Sequence, residues 1–310
     1  MTPKMQSHAS ALYIIYIVLT ILCLVLLVAG GMPFFDSLCI TFGTAGTGGF
    51  GIKVDSMASY PTFCQGVVTV FMALFGVNFN IYFLLLLRRW KEALLDEELR
   101  VYLGIMLSAI AIITLNVTHL FSNLWEAAHH VAFSVSSVMT TTGYVTANFD
   151  KWPELSRGIL LVLMLFGASA GSTGGGIKIV RLVMMAKSAR RELRRMLHPG
   201  SVMSVRMNNR SVGENTLQGV GVFMTYYLTI LVSSFLLVSL DDFSLETNLS
   251  AVISCLNNIG PGLGMVGPDG NFAAYSPLSK LVLSADMLLG RLEIFPLVIL
   301  FSPRSWHRAV

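Results

Sequence analysis

GASAGSTGGGIKIVR (Gly167–Arg181) follows an apolar run, GILLVLMLF (Gly158–Phe166), and merges at its end into another, IVRLVMMA (Ile179–Ala186). The two flanks together have the length of one membrane span, yet five glycines, two serines and a threonine fill the middle. Glycine at this density either breaks a helix or lets another backbone come very close. Either outcome in the middle of a bilayer needs a reason, and the rest of the chain supplies one.

The chain has 310 residues, 54% of them hydrophobic and 12% charged. Soluble domains carry about a quarter charged residues. Charge this sparse cannot cover a globule, so the sequence reads as an integral membrane protein. Six apolar stretches, at about 11–32, 62–87, 101–122, 158–187, 217–240 and 278–301, are predicted to span the membrane. Each is long enough to cross about 30 Å of hydrocarbon as a helix. The first is too long for a removable signal peptide and lacks a small-residue cleavage site; the polar stretch Met1–Ser10 before it reads as a short leader.

Basic residues alternate in density along the connections. Arg88, Arg89, Lys91 and Arg100 lie between spans two and three, and Lys187, Arg190, Arg191, Arg194, Arg195, Arg206 and Arg210 between spans four and five. Lys4 precedes the first span, and Arg304 and Arg308 follow the last. The other connections hold only Lys53, Lys151, Arg157 and Lys280. The positive-inside rule then places both termini and the basic loops in the cytoplasm. Cys23, Cys39, Cys64 and Cys255 have no metal-ligand spacing and read as small buried hydrophobes.

One grammar recurs three times between these spans. A short apolar piece at 34–46 leads into TGGFG, one at 126–140 into TTGYVT, and one at 244–257 into NIGPGLG. Each piece is too short to cross the bilayer but can reach halfway. Each loop holds a glycine followed by an aromatic residue or proline: Gly49-Phe50, Gly143-Tyr144 and Gly260-Pro261. The topology puts all three on the outer side. Non-helical backbone at membrane depth is tolerated only inside protein or along water, so the three loops are expected around an aqueous axis. Half-helices entering from outside point partially negative C-termini at that axis, and inward carbonyls can replace a cation's water shell. The pattern predicts a cation path, with potassium a little ahead of the more strongly hydrated sodium. For any one loop alone an ordinary turn would explain the glycine.

These residues resemble the ion-translocating subunit of the Trk/Ktr/HKT superfamily of potassium transporters, and look closest to the bacterial Trk type. The similar stretches are TGGFG (47–51), VSSVMTTTGYVTANFDKWP (135–153), GASAGSTGGGIKIVRL (167–182), ELRRMLHPGSV (192–202), LNNIGPGLGMVGP (256–268) and MLLGRLEIF (287–295). The resemblance implies an all-α membrane protein of span–half-helix–span units in a pseudo-fourfold pore. Three units are expected here, over 1–100, 101–210 and 211–310, with six transmembrane helices and the family's first unit absent. A truncated product, or a split gene with a separate chain supplying the first unit, would account for that.

The resemblance also implies potassium uptake across the bacterial inner membrane, coupled or channel-like. It implies a homodimer and a cytosolic nucleotide-binding regulatory subunit. Potassium is the transported ion, held at a filter of Thr47, Gly48 and Gly49; Thr141, Thr142 and Gly143; and Asn258, Ile259 and Gly260. The opening stretch, with Gly167, Ser169, Gly171, Ser172, Thr173, Gly174, Gly175 and Gly176, is implied to be an intramembrane gate below the filter. Close helix packing by small residues is the competing reading of it.

Arg291 falls about eleven residues into the last span, near the bilayer centre, where an arginine is costly and usually faces a cavity or a partner. The resemblance implies a positive barrier in the pore; snorkelling beside Glu293 is the alternative. Lys178 and Arg181 either snorkel to inner phosphates or support the break. His129 and His130 make a poor metal pair, and Asp150, Asp241, Asp242 and Asp269 are outer-loop charges. The run Arg190–Arg195 reads as a membrane-surface or subunit contact, not as nucleic-acid binding. Gly46-x-Gly48-x-x-Gly51 lacks a βαβ context, and Gly171–Gly176 has Ile177 where a phosphate loop needs lysine. With no catalytic constellation and no bound cofactor implied, the chain is not expected to be an enzyme.

Overall fold

The computed structural model describes residues 3–198 and 203–300; Arg304, Arg308 and the stretch 199–202 lie outside them. The first apolar run forms α1 (Pro3–Ala29), so the polar leader forms its first turns from residue 3 onward. It stops at Gly30-Gly31, where Gly31 takes a φ of 85°. Pro33 then starts the short α2 (Phe34–Ala45), and Pro61 starts α3 (Thr62–Phe75). After α4 (Phe79–Leu86) and α5 (Trp90–Leu94), Asp96 caps α6 (Glu97–Val117) by accepting the Leu99 N–H at 2.9 Å. Asn123 caps α7 (Leu124–Met139) in the same way through Glu126. The broken span follows as α8 (Glu154–Leu165) and α9 (Ile179–Leu197). A small hairpin pairs β1 (Arg206–Met207) with β2 (Arg210–Ser211) across Asn208 and Asn209, both at positive φ as a tight hairpin turn demands. The chain ends with α10 (Glu214–Val238), α11 (Leu245–Asn257), α12 (Pro277–Arg291) and α13 (Phe295–Leu300).

The order long helix, short helix, broken helix thus occurs three times. By length and composition α1, α6 and α10 are each able to cross a membrane, and α3 with α4, taken together as one bent pair, has the length and hydropathy of a fourth. Long apolar side chains such as Ile14, Ile17 and Ile21 on α1 and Leu228, Val232 and Leu236 on α10 are exposed, as lipid-facing helices require.

Two of the expected spans need correction. The 62–87 span is not straight: α3 and α4 meet at 89°. Gly76 lies so close to the Tyr102 hydroxyl and Thr140 that no side chain would fit, and Asn78 restarts the helix by capping Asn80. The 278–301 span stops at Arg291, and Glu293 and Ile294 adopt left-handed backbone (φ 56° and 65°) before α13 begins. All three second spans are therefore interrupted, where sequence reading expected one.

Each short helix is buried against its own neighbours. Around α2 lie Leu27, Cys64, Val68 and Met72; around α7, Tyr102, Met106, Ile113 and Leu160; around α11, Val238 and Leu283. Cys23, Cys64 and Cys255 are buried free thiols, and Cys39 is half-buried. The α11–α12 contact depends on Gly290, where a Cβ would fall on the Leu256 carbonyl oxygen. Gly290→Ala is expected to lower the thermal midpoint of the detergent-solubilised protein by several degrees, whereas Gly219→Ala, in open space on α10, should leave it unchanged or slightly higher.

Candidate functional site: three glycine loops and the break beneath them

The three short helices end in the same way. Thr47, Thr141 and Asn258 are left-handed (φ 48°, 56° and 58°), and each is followed two residues later by a glycine at positive φ: Gly49, Gly143 and Gly260. The amides of Thr47, Thr141 and Asn258 donate three residues back, to Thr44, Val138 and Cys255. Those of Gly48, Thr142 and Ile259 donate five residues back, to Gly43, Ser137 and Ser254, at 2.8, 2.9 and 2.9 Å. This pair of bonds is the Schellman helix ending, which normally uses glycine or asparagine at the left-handed position. A β-branched threonine there is strained, at a cost of roughly 1–2 kcal/mol.

The loops then stack edge to edge. A Cβ on Gly49 would fall on the carbonyl oxygen of Thr142, and one on Gly143 would fall on that of Ile259. Only glycine permits these approaches. Gly260 is different, with nothing within 4 Å of such a Cβ. The three loops therefore form an open arc. Its open side is a cavity of about 720 Å³ between the first loop (Gly46, Thr47, Gly48, Phe50) and the third (Asn258, Ile259, Gly260), with Met287 and Arg291 also in its lining.

Outside the arc, the caps join neighbouring loops. Met57 donates its N–H to the Val145 carbonyl at 2.9 Å, and Asp150 accepts the Gly264 N–H at 2.8 Å while pairing with Arg157, which also reaches Glu246. Asp269 accepts from Asn148, and Asp241 accepts the Ser276 N–H at 2.8 Å. Asp150, Asp241 and Asp269 thus each cap a neighbouring segment. His129 and His130 are likewise engaged separately, with Gln65 at 2.8 Å and Thr146 at 3.0 Å.

The glycine-rich break runs directly under the arc. Thr47 donates its hydroxyl to the Thr173 carbonyl at 2.9 Å, and the Gly175 N–H donates to the Thr141 hydroxyl at 2.7 Å. A Cβ on Gly175 would come within 2.6 Å of the Asn257 carbonyl oxygen, so the segment touches the ends of all three short helices. The two strained threonines are the ones whose hydroxyls the break holds. On its other side, the break accepts Phe79 N–H at Gly171 and donates the Ser169 N–H to Gly76, which ties it to the bend between α3 and α4. Gly167 and Gly176 pack against one another where the segment enters and leaves.

Glu98, in the first turn of α6, holds the ends of the break. It is 5% exposed, and one carboxylate oxygen accepts the N–H groups of Ala170 at 2.6 Å and Val180 at 3.2 Å. Lys178 does not snorkel: it is buried and donates to the Gly174 carbonyl. Arg181 pairs with Glu293 at 2.7 Å and stacks on Phe223. Glu293 is therefore occupied elsewhere, and among the described residues no carboxylate pairs with Arg291. Arg291 instead lines the arc's open side and a second cavity, of about 170 Å³, bounded by Ser172–Gly176, Lys178, Gly290 and Glu293.

A helical chain that buries three short helices end-inward and stacks their glycine loops around an opening has the architecture of a membrane protein built on pore loops. The match to known proteins makes this specific. The family described as "TrkH: Cation transport protein" matches residues 1–308, and the chain belongs to it. It is 37% identical over 317 residues to the "Trk system potassium uptake protein TrkH" of Salmonella typhimurium, and 30% identical over 310 residues to the TrkG protein of Escherichia coli K12. Each alignment takes in 99% of this chain and 64% of the relative, so the chain spans just under two thirds of their length. The crystal structure of the potassium transporter TrkH from Vibrio parahaemolyticus superposes with a TM-score of 0.89 at 31% identity, over 99% of this chain and 66% of that one.

If Glu98 fastens the break, Glu98→Ala should increase labelling of a Ser172→Cys reporter by a water-soluble maleimide, about a hundredfold for the loss of two bonds to a charged acceptor. Glu98→Gln, which keeps one acceptor oxygen, should fall between.

Proposed function

We propose that this chain conducts potassium ions into the cell across a bacterial inner membrane, as the ion-translocating subunit of a Trk-type uptake system, with both termini in the cytoplasm. The observation that carries the reading is the threefold recurrence of one helix ending, left-handed residue, spacer and glycine, at loops that touch through backbone carbonyls. Such loops present oxygen dipoles to a cation with no side chain between. The relatives' names, potassium uptake protein and potassium transporter, point to the same ion.

In this reading Thr47–Gly49, Thr141–Gly143 and Asn258–Gly260 form the filter, and the three units divide at about 100 and 210. The segment Gly167–Gly176 is the gate, because its backbone runs beneath the filter threonines and its cavity side faces Arg291. Arg291 is the electrostatic barrier on the inner side. A fourth segment of the same chemistry fills the open side of the arc, whether from this polypeptide or another. A homodimer and a cytosolic nucleotide-binding regulatory subunit complete the assembly by family likeness. The open side also favours a second reading: without that fourth segment, the same chain would be a non-conducting, partner-binding subunit.

Growth of a potassium-uptake-deficient bacterium at low external potassium separates the two. Rescue is expected when the chain is expressed with a fourth unit, and failure with and without one would contradict conduction. In the rescued system, deleting Ser169–Gly174 should raise potassium flux at least tenfold, because an unobstructed path replaces a gated one, and Arg291→Ala should raise it several-fold. A deletion protein that inserts normally and conducts no better than wild type would assign the segment to helix packing instead.

A further inference from the structure

Two of the short helices carry serine six residues before the loop glycine, and the first carries Gly43. Ser137 donates its hydroxyl to the carbonyl of Tyr144 at 2.6 Å, and Ser254 donates to that of Gly260 at 2.9 Å. Each serine ties the outer end of its own loop back to its helix. Gly43 has no hydroxyl with which to do so.

The missing bond is supplied from the neighbouring loop. The Tyr144 side chain, 1% exposed, reaches under the first loop and shares its hydroxyl proton between the carbonyls of Phe50 at 3.2 Å and Ile40 at 3.3 Å. Phe50 follows Gly49 as Tyr144 follows Gly143, so Ser137 and Tyr144 hold the corresponding carbonyl of successive loops. The two solutions exclude one another. A Cβ on Gly43 would fall on the Tyr144 hydroxyl oxygen, yet it would also stand 3.3 Å from the Phe50 carbonyl oxygen. A serine side chain placed on this backbone position therefore lies within reach of the same acceptor, but it needs the phenol hydroxyl gone and the ring, whose Cζ would stand 3.2 Å from the new Cβ, to shift by a few tenths of an ångström.

The first loop also has an outer edge for such a bond to support. It borders the open side of the arc, where the Phe50 side chain is 82% exposed.

We propose that Tyr144 is a positioning residue for the first loop: its hydroxyl replaces the serine hydroxyl that α2 lacks and sets the carbonyl spacing by which the loop favours potassium over sodium. This rests on the loops being the ion filter. A neutral hydrogen bond contributes about 1 kcal/mol, so its loss is expected to change ion discrimination about fivefold.

The test is sodium inhibition of radioactive rubidium uptake in cells that express the chain together with the fourth unit, for wild type, Y144F, G43S, the double variant G43S/Y144F, and Gly260→Ser as a direct perturbation of the filter. Folded yield is followed by size-exclusion chromatography. Y144F keeps the ring and its packing, and sodium should inhibit it about fivefold more strongly. G43S alone should lose activity, because its Cβ meets the phenol hydroxyl. The double variant should return to within about twofold of wild type, as the introduced serine hydroxyl takes over the Phe50 carbonyl. Y144F behaving as wild type while Gly260→Ser shifts discrimination would overturn the proposal and leave the filter reading standing. No shift in either would overturn both. A double variant no better than Y144F, or a Y144F protein that is not recovered folded, would assign the hydroxyl to stability alone and also overturn the proposal.

Discussion

A peptide backbone that stops being helical inside a membrane must find every hydrogen-bonding partner within the protein. That constraint organises this molecule. Each of the three short helices ends at depth, and its freed amides turn back to carbonyls three and five residues earlier. The strands that follow lean on one another through glycines 49 and 143, at distances no side chain would permit. The break between α8 and α9 meets the same demand by bonding to the α3–α4 bend, to Glu98 and to the two threonines above it. In the proposed filter, the loop carbonyls not consumed in this way are what a dehydrated cation would use.

The left-handed threonines connect the two halves of the account. Thr47 and Thr141 sit where glycine or asparagine would be easier, and the strain is held by a bond from Thr47 to the Thr173 carbonyl and one from the Gly175 N–H to Thr141. Withdrawing the break would remove the Thr141 hydroxyl's donor and leave the Thr47 hydroxyl to the Gly46 carbonyl of its own loop. The proposed filter and the proposed gate are therefore one hydrogen-bonded object, and a movement of the lower part is felt by the backbone of the upper. Glu98 and Asn78 sit where the break meets the α3–α4 bend, so two interrupted spans share a single junction.

Much of this was legible in the sequence. The half-helices could be read because proline or a polar cap precedes each apolar piece and a glycine loop ends it, and α2, α7 and α11 fall within two residues of the expected bounds. The break at 167–176 announced itself by composition. The breaks at 76–78 and 292–294 were fainter, because Gly76-Val77-Asn78 is short within an apolar run and the second is marked only by Pro296 just beyond it, whose ring a continuous helix would press on the Leu292 carbonyl. The left-handed turn there comes with the pairing of Glu293 to Arg181, a contact 112 residues apart that no local pattern encodes. Glu98 and Tyr144 were hidden for the same reason: each looks ordinary in its own helix or loop and acquires its role from a backbone brought to it by the fold.

The central claim is that the loop carbonyls are the place where the ion sheds its water. Anomalous diffraction from crystals of the assembled transporter soaked in thallium or rubidium salts tests it most directly. The account predicts heavy-ion peaks on the axis of the arc, coordinated by carbonyls of the Thr47–Gly49, Thr141–Gly143 and Asn258–Gly260 strands, and weakened by competing potassium more than by sodium. Ordered ions found only elsewhere, with this axis dry or blocked, would contradict it.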